Sequence, residues 1–148
     1  MGEIGEEGEA PIDGHPPGPF VIDASALSYA TTESGPGAAT LRHVMATQVC
    51  HAPHLIDAEF GNVLRRKVLR GELTATHAEV VLHAAPALID FRHDHAVLAA
   101  AAWSLRGNVT FYDGLYVALA AGLGIVLVTH DKRLAAAPGV PCEMWLVE

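Results

Sequence analysis

The chain has 148 residues, which suits a single domain built around one hydrophobic core. Hydrophobic residues make up 51% of the sequence and the mean hydropathy is +0.28, so most of the chain has enough apolar material to fold. The formal net charge of −8 does not by itself suggest a nucleic-acid-binding protein, which usually carries a basic surface. No apolar run approaches the roughly 20 residues that a membrane span requires.

Residues 1–19 are rich in Gly, Glu and Pro, and we expect them to form a disordered acidic tail. This segment holds five acidic residues and no Lys or Arg, and taking those five charges from −8 leaves −3 for the rest of the chain. The start lacks the basic and apolar regions of a signal peptide. Cys50 and Cys142 are too few for a disulfide framework, so we expect a reduced, cytoplasmic protein. The folded domain is predicted to span residues 20–148.

The first half of that domain begins with a short buried strand, Phe20–Ile22, because three apolar residues stand together. A helix is predicted over Ala24–Ala30, and the composition of residues 31–38 indicates a loop. A second helix is predicted over Ala39–Gln48. A long helix follows over Leu55–Arg70, where the apolar positions repeat every 3.6 residues before Gly71 ends it.

The second half alternates helices with strands. The helices are predicted to run from Thr74 or Thr76 to about Ala85, and over His95–Arg106, Thr110–Ala121 and Lys132–Ala137. The strands are predicted over Leu88–Phe91, Ile125–Val128 and Glu143–Val147. Alternation of this kind predicts an α/β fold in which a parallel sheet has helices on both faces.

Four carboxylates are candidates for one site. Asp23 and Asp131 follow predicted strands, and ligands of parallel sheets bind beyond the carboxyl ends of the strands. Glu59 borders the apolar stripe of the long helix, one turn before Val63. Asp113 is the sole charge between residues 109 and 128, and a carboxylate in so apolar a helix needs a partner. Each acid also has a plain structural interpretation, as a helix cap, a dipole partner or a surface residue.

Four carboxylates at one edge of a sheet would repel one another, and a divalent cation would relieve that repulsion. Ligands that are all oxygen favour Mg²⁺ or Mn²⁺ over zinc. The corresponding chemistry is metal-assisted hydrolysis of a phosphodiester. No P-loop, GxGxxG or GxSxG motif offers a competing assignment.

Four segments together carry a resemblance to a known family: VIDASAL, APHLIDAEFGNVLRR, NVTFYDGLYVALAAGLG and LVTHDKRLAAAPGV. Over residues 20–147 the sequence resembles PIN-domain proteins, and most of all the VapC toxins of bacterial toxin–antitoxin pairs. The resemblance implies a three-layer α/β/α fold with a short parallel sheet and a metal-dependent endoribonuclease activity. One departure is Gly114, where the family usually has Ala, which lowers helix propensity.

The same resemblance assigns roles to individual residues. The family's four catalytic acids match Asp23, Glu59, Asp113 and Asp131, and Ser25 matches a hydroxyl residue that supports the first of them. Asp23, Asp113 and Asp131 are the expected ligands of Mg²⁺ or Mn²⁺. The implied partners are an RNA substrate, a VapB-like antitoxin and a second copy of the chain, with no membrane. We expect the antitoxin to place an Arg in the acidic site and an amphipathic helix between the helices at 39–48 and 55–70.

Several other features stay open. A basic run of Arg65, Arg66, Lys67 and Arg70 is either a solvated face or a contact to RNA phosphates. Nine His residues, including His51 with His54 or His93 with His95, give a weak zinc alternative. The aromatic side chains expected in the core rather than stacked on bases are those of Trp103, Tyr112 and Tyr116.

The competing functions come from different classes of protein. A haloacid-dehalogenase-type phosphatase needs two acids as DxD, but the chain has Asp23-Ala24-Ser25. A receiver domain needs an acidic pair after the first strand, and only Asp23 stands there. Within the PIN fold, the alternatives are an RNA-processing nuclease that is not a toxin and a catalytically silent binding module. A cleavage assay with and without Mg²⁺ or Mn²⁺ separates a nuclease from the phosphatase, the receiver domain and the silent binding module.

Overall fold

The computed structural model describes residues 18–148, so the tail predicted to be disordered lies, except for residues 18 and 19, outside the described residues. No helix in this described part is long and apolar enough to cross a membrane. The elements in chain order are β1 (Phe20–Ile22), α1 (Ala24–Thr32), α2 (Pro36–Thr47), β2 (Cys50–Pro53), α3 (Leu55–Leu69), α4 (Ala75–Ala84), a 3₁₀ turn (Ala85–Leu88), β3 (Phe91–His93), α5 (His95–Ser104), α6 (Phe111–Leu123), β4 (Val126–Thr129), α7 (Lys132–Ala135) and β5 (Met144–Leu146).

The five strands form one parallel sheet in the order β3-β2-β1-β4-β5. Strands β1 and β4 pair in register from Phe20 opposite Val126 to Ile22 opposite Val128. The chain moves outward from β1 through β2 to β3 and then returns to the other side of β1 with β4. The order of strands therefore reverses between β1 and β4, and such a switch point opens a crevice at the carboxyl ends of the strands.

Helices flank this sheet in two packed groups. Helix α1 packs against α2 and α3, α4 packs against α3, and α5 packs against α6, which also contacts β1, β2 and β4. The core is apolar and includes the central strands β1 and β4 and the buried face of α6. This architecture confirms the predicted α/β class with a short parallel sheet.

Helix ends follow local chemistry. The side chains of Asp23, Thr74, Asp94, Thr110 and Asp131 each accept a backbone N–H bond in the first turn of the helix that follows. Such caps satisfy donors that the helix itself leaves unpaired. After α3 and α6, Gly71 (φ +73°) and Gly124 (φ +67°) adopt the left-handed conformation that ends many helices.

The structure corrects several predicted boundaries. Residues 31–38 are not all loop, because α2 begins at Pro36, whose fixed φ suits a first helical position. Strand β2 was not predicted, since Cys50-His51-Ala52-Pro53 lacks β-branched residues. The predicted strand Leu88–Phe91 is wrong over most of its length: residues 85–88 form a 3₁₀ turn and the strand begins at Phe91.

Candidate active site

Asp23 lies at the carboxyl end of β1 and is buried, with only 5% of its surface exposed. Its Oδ1 accepts hydrogen bonds from the backbone N of Ala26 (2.9 Å) and from Ser25 Oγ (2.7 Å). Its Oδ2 accepts from Thr129 Oγ1 at 2.5 Å. Burial raises the pKa of Asp23 to about 6, with a smaller contribution from Asp113, although the hydrogen bonds from Thr129, Ala26 and Ser25 favour the charged form.

Two hydroxyl groups connect the ends of β1 and β4. Thr129 Oγ1 donates to Asp23 and accepts from the backbone N of Asp131 at 3.0 Å. Ser25 Oγ donates to Asp23 and accepts from the backbone N of His130 at 2.9 Å. The position of Asp23 is therefore fixed relative to the segment that carries Asp131.

Asp131 follows β4 by two residues and caps α7, because its Oδ1 accepts from the backbone N of Arg133 (2.8 Å) and of Leu134 (3.3 Å). Asp113 lies in the first turn of α6, where its backbone N donates to the capping hydroxyl of Thr110 at 3.2 Å. The pKa of Asp113 is raised mainly by burial and also by the nearby charge of Asp131, while Thr110 and Arg133 oppose the shift.

Glu59 lies on α3 and its side chain is half-buried. Burial is the main cause that raises its pKa, the charge of Asp113 adds to the effect, and Tyr116 and Arg66 act against it. The hydroxyl of Tyr116 is close enough to Glu59 to interact electrostatically, but it does not meet the geometry of a hydrogen bond.

The four predicted acids thus belong to one electrostatic group at the switch point. The charge of Asp113 raises the pKa of Asp23 and of Glu59, and the charge of Asp131 raises the pKa of Asp113. Among the described residues, no three His, Cys, Asp or Glu side chains already stand in a metal-ligand arrangement. The donor set is nevertheless all carboxylate oxygen and its members repel one another, which are properties that suit a hard divalent cation.

The cations near these acids are only partly those that the sequence suggested. Within the basic run on α3, the charge of Arg66 lowers the pKa of Glu59, whereas Lys67 forms an ion pair of 3.1 Å with Glu33. Arg65 and Arg70 are exposed. Arg133 lies on α7, two residues after Asp131, and its charge lowers the pKa of Asp113. It was not among the predicted site residues.

Thr129 and Tyr116 are the other residues of this region to which the sequence gave no role. A hydroxyl residue two positions before Asp131, at the end of a strand, is a signal that could have identified Thr129. Tyr116 stands three residues after Asp113, a spacing that places both on one face of a helix. The core location predicted for Tyr116 is confirmed, since 1% of its surface is exposed. The same prediction for Trp103 and Tyr112 is wrong, because they are 60% and 56% exposed.

The histidines show contacts of their own at the β2–β3 edge. His51 Nδ1 lies 2.9 Å from His93 Nε2, and burial together with His93 lowers the pKa of His51. His95 Nε2 accepts a hydrogen bond from the backbone N of Leu55 at 2.7 Å, so it already has a structural role. This part of the structure therefore offers a histidine pair and not the larger ligand set that a structural zinc site needs.

Comparisons with known proteins agree with this fold. The PIN domain model matches residues 20–140. The chain is 50% identical over 128 residues to "Ribonuclease VapC1" of Mycobacterium tuberculosis, which covers 86% of this chain and 96% of that protein. It is 36% identical to "Ribonuclease VapC3" of the same species over 122 residues, or 82% of this chain and 89% of the relative.

A solved structure supports the same conclusion. PAE2754 from Pyrobaculum aerophilum superposes with a TM-score of 0.62 at 26% identity, covering 84% of this chain and 87% of that one. The chain belongs to the PIN-domain family and, within it, to the VapC ribonucleases.

Proposed function

We propose that the protein is the toxin of a type II toxin–antitoxin pair and hydrolyses RNA phosphodiesters with Mg²⁺ or Mn²⁺ held by Asp23, Asp113 and Asp131. The observation that carries the proposal is the position of Asp113, which is electrostatically coupled to the three other acids at the switch point of the sheet. A bound cation supplies a water of lowered pKa and balances charge on the phosphate and the leaving oxygen.

The chain's own residues divide the remaining work. Asp23 is held in place by Ser25 and Thr129, so its carboxylate is preorganised for binding. Glu59 is the catalytic carboxylate that does not bind the metal, and its raised pKa suits it to act as a base that takes a proton from the attacking water. Arg66 and Arg133 are the cations that influence the acids, and we assign them to the RNA phosphates, with Arg65 and Arg70 further along the same surface.

An antitoxin partner follows from the same site. A cationic side chain from such a partner would pair with Asp23 or Asp113 and exclude metal and phosphate. The groove between α2 and α3, which both pack on α1, stays a candidate surface for an amphipathic helix of the partner. A cavity of about 280 Å³ between α3 and α4, lined by Leu64, Val68, Leu82 and neighbours, is a second candidate. VapBC2 of Rickettsia felis, crystallised with promoter DNA, has this fold at a TM-score of 0.61 and 14% identity.

The cytoplasm is the compartment that we propose. Both cysteines are free thiols, Cys50 is buried, and burial raises the pKa of the Cys142 thiol to about 11. Unpaired cysteines are typical of a reducing compartment, where disulfides are rare.

The direct test of nuclease activity is cleavage of total RNA by the purified protein, with millimolar Mg²⁺ or Mn²⁺ and with chelator. We expect cleavage only with metal, and none above background for Asp113→Asn. The matched control is Asp57→Asn, which removes a carboxylate that pairs with Arg92 on the surface and leaves the four acids intact. Cleavage that persists in chelator or in Asp113→Asn contradicts the proposal, and a wild type inactive on every RNA indicates a binding module.

The toxin role has a separate test in cells. Expression of the wild type alone should arrest growth, Asp23→Asn should not, and co-expression with the neighbouring gene should restore growth. If the wild type and Asp23→Asn are equally harmless at equal levels, the toxin role fails. An RNA-processing nuclease of the same fold is then the remaining function.

A further inference from the structure

The Tyr116 side chain combines two properties that rarely occur together. Its ring is buried in the core, with 1% of its surface exposed, and its hydroxyl has no hydrogen-bond partner. Within the described part of the chain, only the hydroxyl of Ser28 shares this state. A buried polar group without a partner destabilises the native fold and calls for an explanation.

The surroundings of the hydroxyl supply one. Tyr116 lies one helical turn after Asp113 on α6, and α6 packs against β1, which leads into Asp23. The groups whose charges act on the hydroxyl are Glu59 first and then Asp23 and Asp113, which are three of the four acids. Burial and these charges raise the pKa of the Tyr116 hydroxyl far above its ordinary value, so it stays protonated and faces acceptors as a donor.

The packing of the Tyr116 ring in the core does not explain why this residue carries a hydroxyl. A phenylalanine ring would fill the same space without placing an unpaired O–H among carboxylates. The hydroxyl therefore adds something that the core does not need, at a place where a donor can act on Glu59.

We propose that Tyr116 is a positioning residue, whose hydroxyl donates a hydrogen bond to the Glu59 carboxylate in the metal-loaded site and so orients it beside Asp113. This inference rests on the proposed nuclease function and assigns a residue that acts through Glu59, without contact to RNA.

The first experiment measures RNA cleavage by Tyr116→Phe, with Ser28→Ala as the matched loss of a buried, unpaired hydroxyl outside the site. We expect Tyr116→Phe to lower kcat about 10- to 100-fold, as loss of a group that orients a site residue does, with KM within about twofold of wild type. Its melting temperature should not fall, and Ser28→Ala should cleave like wild type. Wild-type kcat in Tyr116→Phe, or an equal loss in Ser28→Ala, overturns the proposal.

A double-mutant cycle tests whether the effect passes through Glu59. In a Glu59→Gln background, Tyr116→Phe should cause no further loss of the residual activity. A loss as large as in the wild-type background shows that the hydroxyl does not act through Glu59 and contradicts the inference.

A spectroscopic readout keeps the inference separate from the nuclease activity. The infrared C–O stretching band of Tyr116 in the Mn²⁺-loaded protein, identified by difference from Tyr116→Phe, should shift in Glu59→Gln because the acceptor has changed. An unchanged band overturns the proposed hydrogen bond whether or not the protein cleaves RNA. A shifted band in a protein that cleaves no RNA supports the contact, while the cleavage assay rejects the nuclease function.

Discussion

The carboxylate of Asp23 caps α1 through its bond from the Ala26 backbone N while its burial disfavours the charge that metal binding requires. Ionisation of a buried acid is unfavourable until a partner of opposite charge arrives. In the metal-free protein this residue is thus a source of instability, and its hydrogen bonds offset only part of the effect. A cation bound at this carboxylate would relieve that instability.

This arrangement predicts how stability depends on pH in chelator. The folded-state pKa of Asp23 is about 6 and its ordinary value is 3.8, so the native state binds a proton more readily than the unfolded state. The contribution of Asp23 to stability is fully present below about pH 3.8 and is lost as the pH rises from there through about 6. A pKa raised from 3.8 to about 6 corresponds to about 3 kcal/mol at pH 7.5.

We therefore expect Asp23→Asn to exceed the metal-free wild type by up to about 3 kcal/mol at pH 7.5, and the difference to shrink towards pH 4. Urea unfolding of both proteins at several pH values measures it. His51, whose pKa is lowered, titrates in both proteins and cancels in the comparison. A difference that stays constant with pH would show that Asp23 is already charged and satisfied without metal.

For single residues, the sequence was enough to identify the acids as candidates, because the ends of strands and an isolated charge in an apolar helix can be recognised from the order of residues alone. It could not locate Thr129 or Tyr116 as neighbours of the acids. Thr129 contacts Asp23 across 106 positions of sequence. Tyr116 looks like any other core aromatic until the fold places its hydroxyl beside Glu59 and Asp23.

Among the elements, α6 carries Asp113, one of the candidate site residues, and the packing of α6 sets where Asp113 lies. It packs against α5, and Gly114, the residue after Asp113, lies against Ala102 of that helix. A Cβ at position 114 would stand 3.1 Å from the carbonyl oxygen of Ala102 and 3.4 Å from its Cβ. The glycine that departs from the family pattern thus permits a close approach of the two helices.

Gly114→Ala consequently tests packing against helix propensity. Alanine favours a helix interior by about 1 kcal/mol over glycine, but at position 114 the backbone of α5 must move by a few tenths of an ångström to admit it. We expect no net stabilisation, together with reduced cleavage because Asp113 is displaced. The control is Gly122→Ala near the end of the same helix, where a Cβ meets nothing within 4 Å, and which should gain about 0.5 kcal/mol.

Thermal unfolding and RNA cleavage of the two variants provide the comparison. If Gly114→Ala and Gly122→Ala are equally stabilised and cleave RNA like wild type, the α5–α6 contact has room for a Cβ at position 114. Gly114 then has no role in placing Asp113.

Long, strongly periodic elements were predictable, and short ones were not. Helices α3 and α6 and strand β4 were found within a few residues because periodicity and caps mark them. Strand β2 is held by its neighbours β1 and β3, and its sequence has little strand propensity of its own. The start of β3 was misplaced because Pro86 extends a helical turn to Leu88 before the chain straightens.

For the molecule as a whole, the sequence indicated a parallel sheet but not the order of its strands. That order depends on which edges pair, which is a property of the assembled core. Placing β4 beside β1 is what brings Asp131 next to Asp23. The resemblance to PIN-domain proteins supplied the grouping of the four acids that local patterns alone left open.

The outer face of α5 is the surface that we propose for a second copy of the chain. Val97 is 81% exposed and Trp103 is 60% exposed, and the helix between them is mostly alanine, which permits close packing. Val97→Asp should convert a dimer to a monomer in light scattering, because it buries an unpaired charge in the interface. Val80→Asp, at an equally apolar exposed position on α4, should leave the dimer intact. A monomeric wild type, or a dimeric Val97→Asp, rules this surface out.

The central claim is that Asp23, Asp113 and Asp131 hold a divalent cation at the switch point, and binding of Mn²⁺ measured by electron paramagnetic resonance tests it most directly. Asp23→Asn, Asp113→Asn and Asp131→Asn should each weaken Mn²⁺ binding at least about tenfold, or 1.4 kcal/mol. Asp57→Asn, which changes a surface ion pair on α3, should bind like wild type. Wild-type affinity in Asp23→Asn and Asp113→Asn, or an equal loss in Asp57→Asn, would contradict the claim.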